Sequence, residues 1–418
     1  MSLGSPPPPA DSPSPGKGMA LRPPENVEQA ALWLAGVIQW AHERGVTDLH
    51  LFPAEGESVL WARLDGQLHD VTRYSNAVHQ RVIARLKVLG RCADYSGELV
   101  LEGRFSLNGR PEEGEARLSI LPTLRGEKAV IRLLTGGTRL RRLGELGFHE
   151  ALEAVLRKTM DRPQGLLLAV GPSGCGKSTA LYALLRDLHE RTPHPVSTVT
   201  IEDPVEQSLP CTAQISVEPA RGLNFAEGLR AVLRQDPEVI MIGEIRDAET
   251  ASAALHAALT GHRLISSMHT LSAAEALVRL RQMGSPPYVI ASALAGVLNL
   301  RLARLLCPHC KRRRALKPEE QEVFPESREW PEGVVYESAG CETCLGSGRL
   351  GRTGVGEWLT PTADTSAALQ ANQPTLVLAR TLEIAVSARP AAVALLRDGR
   401  ISLEEWESLT GLASLATH

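Results

Sequence analysis

The chain reads as an α/β protein with a mostly parallel sheet, preceded by a smaller α+β domain, on three observations in the sequence. The first is Gly171-Pro172-Ser173-Gly174-Cys175-Gly176-Lys177-Ser178-Thr179, which follows the apolar run 165–170 and leads into the helical run 180–185. Strand, glycine-rich loop and helix in that order turn the pattern G-x-x-x-x-G-K-[ST] into a phosphate cradle. The second is the alternation of apolar runs at 166–170, 196–201, 239–242 and 264–267 with helical stretches at 178–191, 225–233, 249–258 and 273–283. Such runs are strands buried on both faces, and strand alternating with helix gives a parallel sheet covered on both sides. The third is a set of short strands with hairpin signals ahead of residue 137, which points to antiparallel pairing.

Taken in order, residues 1–25 carry a Pro-Pro-Pro-Pro run and Ser-Pro repeats. That composition cannot bury a core, and the segment is expected to be a disordered leader. From 25 to 44, Ala31, Leu34, Ala35, Ile38 and Ala41 recur at helical spacing, and Gly45 ends the helix. Strands are expected at 48–52 and 59–64, the second closed by the turn signal Asp65-Gly66. A helix at 79–89 and strands at 103–107, 115–121 and 128–134 complete an N-terminal α+β domain over 26–137. The second domain is expected to run over 138–418, with a four-cysteine module at 303–356 and a helical tail at 357–418.

Length and charge narrow the function. A chain of 418 residues makes several domains of about 100–200 residues each. The net charge of −3 argues against bulk electrostatic binding to nucleic acid or anionic lipid. Four of the seven cysteines form two C-x-x-C pairs, which is metal arithmetic rather than a disulfide framework and fits a reducing cytoplasm. No signal peptide is evident. The run 288–306 is interrupted by Asn299, Arg301 and Arg304, so direct membrane insertion is not expected.

The polar groups fall mainly at expected strand ends, where ligands bind in open α/β sheets. Backbone N–H groups of the cradle point at phosphate oxygens, Lys177 reaches the β/γ-phosphates, and Ser178 offers Mg²⁺ an oxygen. ATP and Mg²⁺ are the ligands this predicts. Glu202 and Asp203 follow the second strand and can hold Mg²⁺ through water or orient the nucleophile, against the alternative of a solvated acidic turn. Glu244 is the first acid after the third strand and is expected to polarise the attacking water. His269 follows the fourth strand, where γ-phosphate sensing and a structural role both stay open; His262 is expected to hold a loop. Arg117 and Arg132 lie on successive strand candidates and read first as surface residues, while Arg230 and Arg234 read as bracing.

Cys307-Pro308-His309-Cys310 and Cys341-Glu342-Thr343-Cys344 are joined by a loop of about 30 residues, the signature of a closed structural zinc site. A redox pair is the alternative. With Cys307, Cys310, Cys341 and Cys344 available, His309 is unnecessary as a ligand, and four protein ligands leave no open position for metal catalysis. Cys92, Cys175 and Cys211 read as ordinary buried or small residues.

These residues resemble a known family, the secretion ATPases of type II secretion and type IV pilus assembly. The resemblance covers about 48–410 and rests on four boxes in order: the phosphate loop at 171–179, an aspartate box at 200–206, a Walker B segment from Leu233 through Gly243-Glu244-Ile245-Arg246-Asp247, and a histidine box at 260–270. The first domain is similar in Thr47-Asp48-Leu49-His50, Arg63-Leu64-Asp65-Gly66 and 117–128. The resemblance implies a RecA-like P-loop ATPase domain, a PAS-like first domain and a zinc module. It also implies a homo-hexameric ring, cytoplasmic and peripheral at the inner membrane through a platform protein and other secretion or pilus components. It makes Arg117 and Arg132 arginine fingers toward bound triphosphate, and it places the chain in the secretion and pilus-extension branch. Extension-type members usually carry a further N-terminal docking domain; here the leader and one helix precede Asp48. Arg263, Met268, Leu271 and Leu300 depart from the family's usual residues without removing a proposed catalytic group.

Two other classes compete with an ATP-driven motor. The run Lys311-Arg312-Arg313-Arg314 beside the cysteines would be the footprint of a nucleic-acid binder, opposed by the near-neutral charge and the lack of an evident aromatic stacking platform. A scaffold that binds ATP without hydrolysing it is the other.

Overall fold

A computed structural model describes residues 21–24, 26–92, 99–107, 114–134, 140–324 and 333–410. Most of the expected leader and the boundary at 137/138 lie outside the described residues. The chain divides into two compact units: Met1–Thr138 with Leu306–Arg312 and Glu337–Gly351, and Arg139–Leu305 with Arg313–Tyr336 and Arg352–His418.

The first unit opens with α1 (Ala30–Glu43), β1 (Asp48–Pro53), β2 (Glu57–Leu64), β3 (Gln67–Ser75) and α2 (Asn76–Leu89), followed by β4 (Leu101–Ser106), β5 (Glu115–Thr123) and β6 (Gly126–Leu134). Its six-stranded sheet has the order β3-β2-β1-β6-β5-β4, and every neighbouring pair is antiparallel. Alternate strand residues such as Leu49, Leu51, Leu60, Leu118 and Ile131 turn inward and form one core with Leu34, Val37, Val82 and Leu86 of the helices. Sequence periodicity does not foresee β3. Its run Gln67-Leu68-His69-Asp70-Val71 carries little apolar alternation, and the tight turn at Asp65 (φ 49°) and Gly66 (φ 86°) folds it back onto β2.

The remaining elements are, in chain order, α3 (Glu150–Met160), β7 (Gly165–Val170), α4 (Lys177–Arg191), β8 (Thr198–Glu202), β9 (Ala213–Ser216), α5 (Phe225–Val232), β10 (Val239–Ile242), α6 (Ala248–Leu259), β11 (Arg263–Met268), α7 (Ala273–Gln282), α8 (Pro287–Ala293) and β12 (Leu294–Leu306). They continue with β13 (Lys311–Ala315), α9 (Pro318–Val323), β14 (Val334–Ser338), β15 (Arg349–Thr360), α10 (Ala363–Gln370), α11 (Thr375–Thr381), β16 (Glu383–Val386), α12 (Arg389–Arg397) and α13 (Leu403–Thr410). The large sheet has the order β16-β15-β12-β7-β11-β10-β8-β9. From β12 to β9 its pairs are parallel. In β7, Leu166, Leu168 and Val170 feed one core while Leu167 and Ala169 feed the other, so both faces of the sheet are covered. This is the mostly parallel α/β fold the strand–helix alternation predicts.

The apolar stretch 288–306 divides into α8 and β12. Among the described residues no helix is long and apolar enough to cross a membrane. The cysteine-bearing segments were expected within the second domain; compactness groups them with the first unit, where Leu345 and Leu350 pack against its core and Gly351 N–H donates to Asp65 Oδ2 at 2.6 Å.

Candidate nucleotide site and cysteine cluster

Strands β7, β11, β10 and β8 are neighbours, and their carboxyl ends deliver the phosphate loop, His269, Glu244 and Glu202-Asp203 to one edge of the sheet. The loop needs its glycines. Gly171 has φ +145°, and a Cβ there would stand 2.4 Å from the Leu300 carbonyl oxygen. Gly176, at φ 94°, is the N-cap of the 15-residue α4 and offers no capping side chain, so the first-turn N–H groups are left to an incoming anion.

Lys177 is buried at the start of α4. Its Nζ donates to the carbonyls of Gly171 (2.7 Å) and Pro172 (3.0 Å) and lies 3.3 Å from His269 Nδ1. Burial lowers its pKa, and the nearby Glu244 charge opposes that. Neutral carbonyls are weaker partners for an ammonium than phosphate oxygens, so the side chain can exchange one for the other.

The turn after β10 is fastened on both sides: Gly243 N–H donates to Ile201 O (2.8 Å), Ser267 Oγ to Gly243 O (2.8 Å), and Ile245 N–H to Ser267 O (2.9 Å). Glu244 Oε1 accepts from Arg246 Nη2 at 2.5 Å. Oε2 is buried, 3.3 Å from His269 Nε2, and has no hydrogen-bond partner of acceptable geometry. His269 therefore sits between Lys177 and Glu244. Its pKa is lowered, first by burial and then by the Lys177 charge, which keeps the ring neutral. With Lys177 donating to Nδ1, the ring proton falls on Nε2, toward Glu244.

Glu202 is built differently. Its carboxylate is buried and accepts from Tyr182 Oη, Thr200 Oγ1 (2.5 Å) and Gln214 Nε2 (3.0 Å). Asp203 beside it lies 3.4 Å from Arg246 Nη1. Ser178, Glu202, Asp203, Glu244 and His269 line a cavity of about 340 Å³ together with Lys177 and the loop. The buried, unpartnered Glu244 Oε2 and the oxygen-rich donor set fit a hard cation and water at this edge. Arg352 lines the cavity too. Sequence reasoning missed it, because it lies far along the chain without a local motif. Arg246 was legible only as part of the Walker B segment, with no role attached.

Arg117 and Arg132 belong to the first unit, not the unit holding Lys177. Register places Arg63, Asp48, Arg132, Arg117 and Arg104 side by side across β2-β1-β6-β5-β4. Asp48 accepts from Arg132 Nε at 2.9 Å and lies 3.7 Å from Arg63 Nε. Burial pushes the Asp48 carboxyl up, but the Arg132 and Thr47 hydrogen bonds outweigh it and its pKa is lowered. Arg117 Nε is buried without a partner. Elsewhere, Arg230 pairs with Glu227 and Glu249, Arg234 donates to Arg230 O, and His262 Nδ1 lies 3.3 Å from Ala257 O.

The four cysteine sulfurs lie within 4.8 Å of one another. Sγ–Sγ distances are 3.8 Å (Cys307–Cys341), 3.8 Å (Cys310–Cys344) and 3.6 Å (Cys341–Cys344). A tetrahedron with Zn–S bonds of about 2.3 Å has edges of about 3.8 Å, so the donor set fits zinc. The backbone N–H groups of Cys341 (3.2 Å) and Gly348 (3.1 Å) point at Cys344 Sγ, as outer partners of a ligating sulfur do. His309 is exposed and is not part of the cluster.

Residues 27–408 match the family described as Type II/IV secretion system protein. The chain is 38% identical over 327 residues to "Type IV pilus assembly ATPase TfpB" of Acinetobacter baylyi, an alignment covering 78% of this chain and 55% of that protein. It is 38% identical over 319 residues to "Type II secretion system ATPase E" of Vibrio cholerae, covering 76% of this chain and 63% of that protein. It thus spans between half and two-thirds of the length of these relatives. Among solved structures, the Legionella pneumophila ATPase DotB superposes with a TM-score of 0.64 at 21% identity, over 91% of this chain and 96% of that one, a likeness of fold.

Proposed function

Because the chain belongs to the Type II/IV secretion system protein family, we propose that it is an ATP-hydrolysing motor of type II secretion or type IV pilus assembly. The observation that carries the catalytic part is the line Lys177–His269–Glu244 at the carboxyl edge of the parallel sheet, beside the uncapped start of α4.

ATP is the substrate. Its phosphates settle on the loop N–H groups and the N-terminus of α4, and Lys177 leaves the Gly171 and Pro172 carbonyls for phosphate oxygens. Ser178 would hold Mg²⁺, which supplies charge neutralisation on the phosphates when bound. Glu244 Oε2 is the open acceptor that orients the attacking water and takes its proton. His269, neutral and touching both partners, registers whether Lys177 is on the loop or on phosphate. Glu202, whose two oxygens already accept from three side chains, braces α4 and β9 around the site. Arg117 and Arg132 act as arginine fingers, adding cationic contacts to the triphosphate.

In this reading the working form is a homo-hexameric ring, cytoplasmic and held at the inner membrane by a platform protein. Hydrolysis moves the first domain against the second and so drives assembly of pilin-like subunits. Cys307, Cys310, Cys341 and Cys344 hold a structural zinc that ties their two segments together. The test is phosphate release from MgATP by the purified chain together with its size in solution. Turnover by a hexamer supports the reading, and ATP binding without turnover refutes the motor.

A further inference from the structure

We propose that Arg246 is a positioning residue for Glu244 and that Asp203 in turn positions Arg246. The proposal rests on the ATP-hydrolysing reading above. A glutamate carboxylate turns easily about its last torsion, so a general base works best when a third group fixes its direction. Arg246 does this from outside. Its Nη2 holds Glu244 Oε1 at 2.5 Å, and its Nη1 lies 3.4 Å from Asp203 Oδ2, so one guanidinium spans the acids that follow β10 and β8.

Arg246 is 57% exposed and is not among the residues lining the cavity, whereas Glu244 is 14% exposed and lines it. The guanidinium therefore acts through Glu244 rather than on the nucleotide. With Oε1 held, Oε2 is left as the buried, unpartnered oxygen on the His269 side. A planar fork can grip two carboxylates at once, and a lysine ammonium keeps the charge without the fork. The hydrogen bonds of Arg246 run to Glu244 and Asp203, whereas Lys177 Nζ donates to the Gly171 and Pro172 carbonyls, so the clamp and the phosphate-binding lysine are engaged separately.

The experiment compares the full-length parent with Arg246→Gln, Arg246→Lys and Asp203→Asn, and adds Glu244→Gln with and without Arg246→Gln. Single-turnover phosphate release from MgATP, equilibrium MgATP binding and melting temperature are measured for each. Arg246→Gln is expected to lower the hydrolysis rate by about 10–100-fold, a part of what general-base catalysis supplies, with MgATP affinity within about twofold. Arg246→Lys regains part of that loss, and Asp203→Asn loses about threefold through the same step. In the Glu244→Gln background Arg246→Gln costs nothing further, because residues that act through one another are not additive.

Parental turnover by Arg246→Gln overturns the proposal. So does a loss that appears only in binding or melting temperature, or an equal loss in both backgrounds. If Glu244→Gln itself turns over like the parent, Glu244 is not the carboxylate that activates water and the proposal falls with it, while the ATP-hydrolysing reading stands; absence of phosphate release from the parent is the separate result that overturns that reading.

Discussion

Glu202 and Glu244 stand at the ends of neighbouring strands, β8 and β10, and line the same cavity, yet their surroundings are opposite. Glu202 accepts from a tyrosine, a threonine and a glutamine, so both of its oxygens are engaged. Glu244 gives one oxygen to Arg246 and keeps the other open beside His269. A carboxylate with both oxygens hydrogen-bonded to side chains holds structure together, whereas one with a free oxygen in a polar cavity can accept a proton or a water. Position at a strand end is shared by both acids; the hydrogen-bond partners of their oxygens separate them.

The contrast can be broken or sharpened in several ways. The largest effect belongs to Lys177→Ala, which removes the cation of the cradle. MgATP affinity is expected to fall by more than about 100-fold, as when a charged, partly buried contact is lost. Next is Glu202→Ala, which leaves the Thr200, Gln214 and Tyr182 donors facing a gap. It is expected to destabilise the second unit by about 2–4 kcal/mol in chemical denaturation. Turnover per folded molecule should suffer far less than stability does. If Glu202→Ala keeps its stability and loses hydrolysis, the division between the two acids collapses. Tyr182→Phe removes one donor only, and about 1 kcal/mol is expected by the same measurement.

The smallest effect is a pH dependence in the first unit. His79 is buried, its Nε2 2.7 Å from Glu127 O and its Nδ1 3.0 Å from Tyr74 Oη. Burial lowers its pKa from the ordinary histidine value despite the Glu127 carbonyl, so the folded state favours the neutral ring. Its contribution is therefore present above the unfolded value of about 6.5 and is lost as pH falls through the lower folded value. Melting temperature should drop by roughly 1–3 °C across that range, and less in His79→Gln.

Much of this was legible in the chain, for identifiable reasons. The phosphate loop could be read because its glycines, lysine and flanking strand and helix are contiguous. The parallel sheet could be read because strands buried on both faces are continuous apolar runs. The β3 strand escaped because its pairing comes from the Asp65-Gly66 turn rather than from its own pattern. The Glu202–Glu244 difference escaped too: Tyr182 and Gln214 reach Glu202 from α4 and β9, and no local signal encodes that convergence. The arginines on the first unit's sheet were visible singly, but their alignment with Asp48 is a matter of register.

The most direct measurement is phosphate release from MgATP by the purified chain and its Glu244→Gln variant, with MgATP binding measured alongside. Parental turnover, with binding kept and hydrolysis reduced by about 100-fold or more in Glu244→Gln, is the expected result. Equal turnover by the two proteins would contradict the assignment of Glu244 as the carboxylate that activates water.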